Sequence, residues 1–224
     1  ALFPSAWTSD HSVPVPPGFD WDLWLGPLPW RPFGGEAGHT LSGLFVGDVN
    51  WSPHHYDIVQ WTVNADPTAP IEVSYEGKSG RPDDAIIHYR YSNGVVVHSI
   101  GYPGEPVGSD GGACFVGTEG RIAVDRANLV SYPASILKEP LRPDDTRVYH
   151  ATSHSGNFLE CVRSRRPTIC HPETAVYTIN AILIGGIALA LQRAVKWDPV
   201  KAEFPGDEPA NRLLSYTARA PWRL

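Results

Sequence analysis

The spacing of apolar and polar positions changes along the chain, and each change marks an element. His54, Ile58 and Trp61 recur at i, i+4 and i+7, which predicts a helix with Ser52 as N-cap and Pro53 at its first position, stopping before Asp66-Pro67. From Ile71 the period falls to two. The runs IEVSYEG from Ile71, AIIHYRY from Ala85, GVVVHSIGY from Gly94, ACFVG from Ala113, RIAVD from Arg121 and NLVSYP from Asn128 predict strands. Asn93-Gly94 and the GTEG of Gly117 to Gly120 are tight-turn signals between such runs, so the strands follow one another as hairpins. After the loop KEPLRPDD the helical period returns in GNFLECVRS from Gly156, then in a longer helix from about Glu173 to Ala194 with Pro172 before it. A block of strands flanked by helices is an α+β arrangement. We expect a large open, mainly antiparallel sheet with helices on one face.

The ends of the chain lack either period. Residues 1–40 are crowded with Pro, Gly and Trp, and proline excludes a long helix or a central strand there. Trp21, Trp24 and Trp30 would leave large apolar area in water, so this segment is expected to be an ordered arm packed on the domain formed by residues 41–224. The Pro-broken tail from Lys196 carries aromatic anchors and is expected to lie as an extended strap.

Composition narrows the function classes. The 224 residues are 42% hydrophobic, enough for a sizeable core. A net charge of -6 with 18 Lys and Arg offers no clustered basic surface, so neither nucleic acid nor an anionic membrane is an expected partner. The RSRR at Arg163 to Arg166 reads as a solvated helix end. The run AILIGGIALAL, Ala181 to Leu191, is short of the ~20 residues that cross a bilayer and is read as a core helix. Cys114, Cys161 and Cys170 lack the spacing of a zinc or redox motif and are expected to be small buried residues. The absence of Met leads us to expect a segment upstream of Ala1, either a removed targeting segment or the earlier part of a longer polypeptide.

Five stretches in order, DWDLWLGPLPWRPF, NWSPHHYDIVQW, FVGTEGRIAVDR, NFLECVRSRRP and KWDPVKAEFPGDEPANRLLSYTARAPWRL, resemble the C-terminal half of the Gfo/Idh/MocA oxidoreductases, in particular their bacterial branch. The resemblance covers the chain. It implies a substrate-binding and oligomerisation domain whose sheet floors a sugar site, preceded in the family by an NAD(P)-binding Rossmann domain. No G-x-G-x-x-G element occurs in this sequence, so by resemblance NAD(P) is bound by a missing N-terminal domain and no cofactor is expected on this chain alone.

The resemblance also implies catalytic residues. Family members oxidise a sugar or polyol hydroxyl while an Asp-x-x-x-His pair and a lysine handle the proton. The histidine falls on His54 and the aspartate position holds Asn50. At the first turn of a helix, exposed N–H groups favour a neutral, proton-accepting ring at His54. An amide at residue 50 can orient a ring or hold a hydroxyl, but it cannot carry charge or accept a proton. The family's GG pair falls on Phe45 and Val46, which would crowd the pocket, and the neighbouring Asp48 is a candidate to take the role of the carboxylate that residue 50 lacks. His55 and Asp57 are candidate substrate-side or tautomer-fixing partners, or solvent-facing helix residues. A metal is not expected at His54, His55 and Asp57, because adjacent helical side chains point about 100° apart. His154 and Asn157 match a family H-x-x-N-F position near the substrate, with a helix cap and a core Phe158 as the structural alternative. Trp24, Trp30 and Arg31 are candidate stacking and clamping residues, or simply packing.

Three functions are compatible with these residues. The first is the substrate-binding and assembly half of an NAD(P)-dependent sugar or polyol dehydrogenase, acting as a homo-oligomer through its sheet. The second is a redox-inactive carbohydrate-binding or scaffold domain, favoured by Asn50, Phe45 and Val46. The third is a non-oxidative glycoside-processing enzyme using His54 as base. Export signals in this branch allow a periplasmic or secreted setting by resemblance, with a cytoplasmic one otherwise.

Overall fold

The computed structural model describes residues 12–34, 52–63, 69–77, 85–99, 111–145, 147, 149–215 and 217–222. In chain order the helices are α1 (Trp21–Leu25), α2 (Ser52–Thr62), α3 (His154–Ser164), α4 (Pro172–Leu191) and α5 (Glu208–Asn211). The strands are β1 (Glu72–Glu76), β2 (Ile86–Arg90), β3 (Val96–His98), β4 (Ala113–Val116), β5 (Arg121–Val124), β6 (Leu129–Tyr132) and β7 (Val195–Lys196). The fold is α+β and every strand pairing among the described residues is antiparallel. The pairing forms two sheets rather than one continuous ladder among those residues, in the orders β3-β2-β1-β7 and β4-β5-β6. The chain divides into two units, Ala1–Asn50 with Pro70–His98 and Ile182–Leu224, and Trp51–Ala69 with Ser99–Ala181.

In the first unit the period of two sorts side chains cleanly. Val73 pairs with both Tyr89 and Val195, and all three are buried on one face with Ile87. Glu72, His88, Arg90 and His98 alternate onto the other face, where Arg90 Nη2 meets Glu72 Oε1 at 2.7 Å. The Asn93-Gly94 hairpin is present: Gly94 takes φ +88°, and the Tyr91 N–H donates to the Val95 carbonyl at 2.9 Å. Ile182, Ile184, Ile187, Ala188 and Leu189 of α4 are buried. Gly185 lies against the Tyr89 phenol so closely that a methyl group would overlap it, and would reach 2.9 Å from Cζ. By length and composition α4 could span a membrane, since an 18-residue window has mean hydropathy 1.9. Half of that window is buried within the protein.

The arm contains a one-turn helix that its prolines concealed. Asp20 caps α1 by accepting from the Leu23 N–H at 2.9 Å. Trp21, Leu25 and Phe33 form a buried cluster, with Trp24 stacked on Trp21 at 4.8 Å and 15°. The tail meets this arm: Arg219 pairs with Asp22 Oδ1 at 2.5 Å and donates to the Leu28 carbonyl at 3.0 Å. The tail is not wholly a strap. The predicted helix end at Ala194 is corrected to Leu191, since Gln192 turns left-handed with φ +53°, and Val195–Lys196 then joins β1. Phe204 is fully buried beneath Trp197, and the Asn211 amide both accepts from its N–H and donates to its carbonyl at 2.8 Å each.

In the second unit, β4 and β5 are joined through the predicted Gly117–Gly120 turn, with the Gly117 N–H donating to the Gly120 carbonyl at 2.8 Å. Helix α3 begins two residues earlier than its apolar period suggested, because Ser153 accepts from the Gly156 N–H at 3.1 Å. It ends with Arg163 in the last turn and Arg165 left-handed, while Arg166 pairs with Glu160 at 2.8 Å. Two expectations are corrected here. Phe158 is 58% exposed rather than in a core, because Asn157 and Cys161 occupy the buried side of α3. Of the cysteines, only Cys161 is buried, whereas Cys114 is half-buried and Cys170 is exposed.

Candidate functional site

The i, i+4, i+7 stripe of α2 does not form a sealed core seam. Gln60 is the fully buried residue of this helix, and Trp61 is substantially exposed. The faces carrying His54, His55, Asp57, Ile58 and Trp61 instead form one wall of a 460 Å³ cavity within the second unit. A stripe of amphipathic residues serves a cavity wall as well as a core, which is why spacing alone did not separate them. Pro53 stands in the first turn, where a missing N–H costs nothing, and it starts the helix so that both imidazoles face the cavity.

Two other segments complete the walls. Between β5 and β6, Asp125 accepts from the Ala127 and Asn128 N–H groups at 2.7 and 2.6 Å, a local turn that presents Arg126 at its tip. Cys170, Ala175 and Thr178 come from the approach to α4 and its first turns. Thr178 is only 3% exposed, and its hydroxyl donates to Asp57 Oδ1 at 3.1 Å.

The electrostatics of the cavity centre on Asp57. Burial pushes its carboxyl above the ordinary carboxylate range, against the opposing effects of hydrogen bonds from Thr178 and Trp61 and of the nearby His54. His55 is the other polar group with buried atoms here. Both of its ring nitrogens are buried and, among the described residues, neither has a hydrogen-bond partner. Gly111 backs this ring: it takes φ +81°, and a Cβ there would stand 3.2 Å from His55 Nε2.

The predicted site residues therefore separate. His54, His55 and Asp57 share the cavity. Asn157 lines a second cavity of 730 Å³, but its amide is committed, donating to Tyr149 Oη at 2.6 Å and accepting from the Ile169 N–H at 3.1 Å. His154 is the exposed first residue of α3. Trp24, Trp30 and Arg31 belong to the first unit. There Trp24 stacks on Trp21, Trp30 lies under the Arg219 guanidinium at 5.7 Å, and Arg31 lies over Trp21 at 5.8 Å. Asn50, Phe45, Val46 and Asp48 lie outside the described residues. Thr178, Asp125 and Arg126 were not anticipated; the only hint was a threonine within an apolar helical run, at a position that proves buried.

A dinucleotide does not fit the described residues. Its crevice needs a parallel strand-helix-strand unit with a helix N-terminus facing the pyrophosphate, and only antiparallel pairs are formed here. The described residues form two antiparallel sheets, and the second unit carries a cavity lined by imidazole, carboxylate and hydroxyl groups. The chain matches the family model described as "Oxidoreductase family, C-terminal alpha/beta domain" over residues 4–224, and it belongs to that Gfo/Idh/MocA family. The family is one of NAD(P)-dependent oxidoreductases. No curated protein and no solved structure matches this chain.

Proposed function

We propose that this domain binds the sugar or polyol substrate of an NAD(P)-dependent dehydrogenase in the α2 cavity, with the nicotinamide held by residues outside the domain. The observation that carries this reading is the meeting of His54, His55, Asp57 and Thr178 in one cavity. A polyhydroxylated ligand offers many donors and acceptors at once. Carboxylate, hydroxyl and imidazole groups answer them, and the half-exposed indole of Trp61 suits the apolar face of a ring.

His54 is the proton acceptor in this reading, taking the hydroxyl proton as the carbon is oxidised. The carboxylate that supports it is Asp57, three residues along the same helix and electrostatically coupled to it. That assignment relieves the amide at residue 50 of a task it cannot perform.

The test is ligand-observed NMR with a panel of aldoses, inositols and linear polyols. Binding that is weakened at least tenfold by Trp61→Ala and by Asp57→Asn supports the cavity. Binding untouched by both, yet lost with Asn157→Ala in the second cavity, overturns it. In the intact oxidoreductase, His54→Gln is expected to keep substrate affinity and lose turnover.

A further inference from the structure

The polar face of the four-stranded sheet carries a second cluster, remote in sequence from the α2 cavity. His88 and His98 are directly opposite residues of β2 and β3. Their Nδ1 atoms approach to 2.6 Å with the rings nearly perpendicular at 80°. That is shorter than the ~2.7 to 3.2 Å of ordinary N–H···N or N–H···O bonds, and only one proton can lie between two such lone pairs. On the far side of the ring, His88 Nε2 faces Glu76 Oε2 at 3.7 Å.

We propose that His88 and His98 chelate a divalent transition-metal ion, of the zinc, copper or nickel type, through their two Nδ1 atoms. Metal-bound histidines commonly turn their other ring N–H towards a carboxylate, which fixes the tautomer and raises the basicity of the ligating nitrogen. Glu76, an exposed side chain 3.7 Å from His88 Nε2, lies just beyond hydrogen-bond range of that nitrogen. In tetrahedral geometry a metal at ~2.0 to 2.1 Å from each nitrogen holds them about 3.3 Å apart, so rotation of the two rings must open their 2.6 Å separation by about 0.7 Å to admit it. The hairpin positions both rings before the ion arrives: strand pairing fixes the residues opposite one another, and the Asn93-Gly94 turn sets that register. Among the described residues no group of three or more metal-ligating side chains forms, so water completes the coordination. Imidazole pairs of this kind favour zinc, copper and nickel over magnesium or calcium.

The experiment is titration of the untagged protein with Zn2+ and Cu2+, read by calorimetry and by nitrogen hyperfine structure in the Cu2+ electron paramagnetic resonance spectrum. The expected result is one site with two nitrogen ligands. His88→Ala and His98→Ala should each weaken zinc binding at least tenfold and drop the spectrum to one nitrogen at most, and Glu76→Gln should weaken it less. His98→Gln, judged by circular dichroism, separates loss of the ligand from loss of the hairpin. Unchanged affinity in both alanine variants, with the fold intact, overturns the proposal, as does a copper spectrum without two nitrogens in the wild type. Sugar binding in the α2 cavity is measured separately, so failure of either proposal leaves the other standing.

Discussion

Thr178 donates its hydroxyl hydrogen to Asp57 at 3.1 Å, joining two residues 121 positions apart in the chain. One is nearly inaccessible in α4 and the other lines the cavity from α2, so this bond ties the wall of the site to the start of the long helix. Replacing Thr178 with valine keeps the shape and removes the donor to a half-buried carboxylate. A loss of about 1 to 3 kcal/mol in stability is expected, measured by urea denaturation.

The raised carboxyl of Asp57 gives stability a pH dependence of definite sign. A carboxyl whose pKa is higher in the folded state contributes most when protonated, below its unfolded pKa, and that contribution is lost as pH rises through the raised folded value. Asp57→Asn keeps an oxygen acceptor for Thr178 and removes the titration. Its stability, followed by thermal melts across the acidic range, should decline less with rising pH than that of the wild type.

Gly185 is required by the phenol of Tyr89. Gly185→Ala places a methyl group on the Tyr89 hydroxyl, and an overpacking cost of about 1 to 3 kcal/mol is expected. The Tyr89→Phe background removes the closest atom, so the double variant should lose less than the sum of the two single ones. Additive losses in a double-mutant cycle would show that the two residues do not meet.

Asn211 acts as a backbone surrogate for Phe204, satisfying both its N–H and its carbonyl. Asn211→Asp keeps one of these bonds and loses the other, while Asn211→Ala loses both. Stability measured by chemical denaturation should fall in the order wild type, Asp, Ala, with each step about 1 kcal/mol or more.

Much of the fold could be read locally. The period of two in β1 to β6 follows from alternating faces, and the hairpins at Asn93-Gly94 and Gly117–Gly120 follow from turn chemistry that acts over four residues. Elements that depend on remote partners were less legible. β7 is two residues long and exists because β1 offers it an edge, and α1 is one turn held by a cap inside a proline-rich arm. Phe158 looked like a core residue by its neighbours in sequence, yet the buried side of α3 belongs to Asn157 and Cys161.

By itself, then, the chain determined its α+β class, its strand order along the sequence, its family and the placement of His54, His55 and Asp57 on a single helix, since each rests on periodicity or motif within a short window. Tertiary structure alone decided that the α2 stripe faces a cavity, that Thr178 and Arg126 join it, and that Asn157 spends its amide on Tyr149 and the Ile169 backbone. The reason is physical: burial and hydrogen-bond partners are properties of groups brought together from distant segments, and no local pattern encodes which segments will meet.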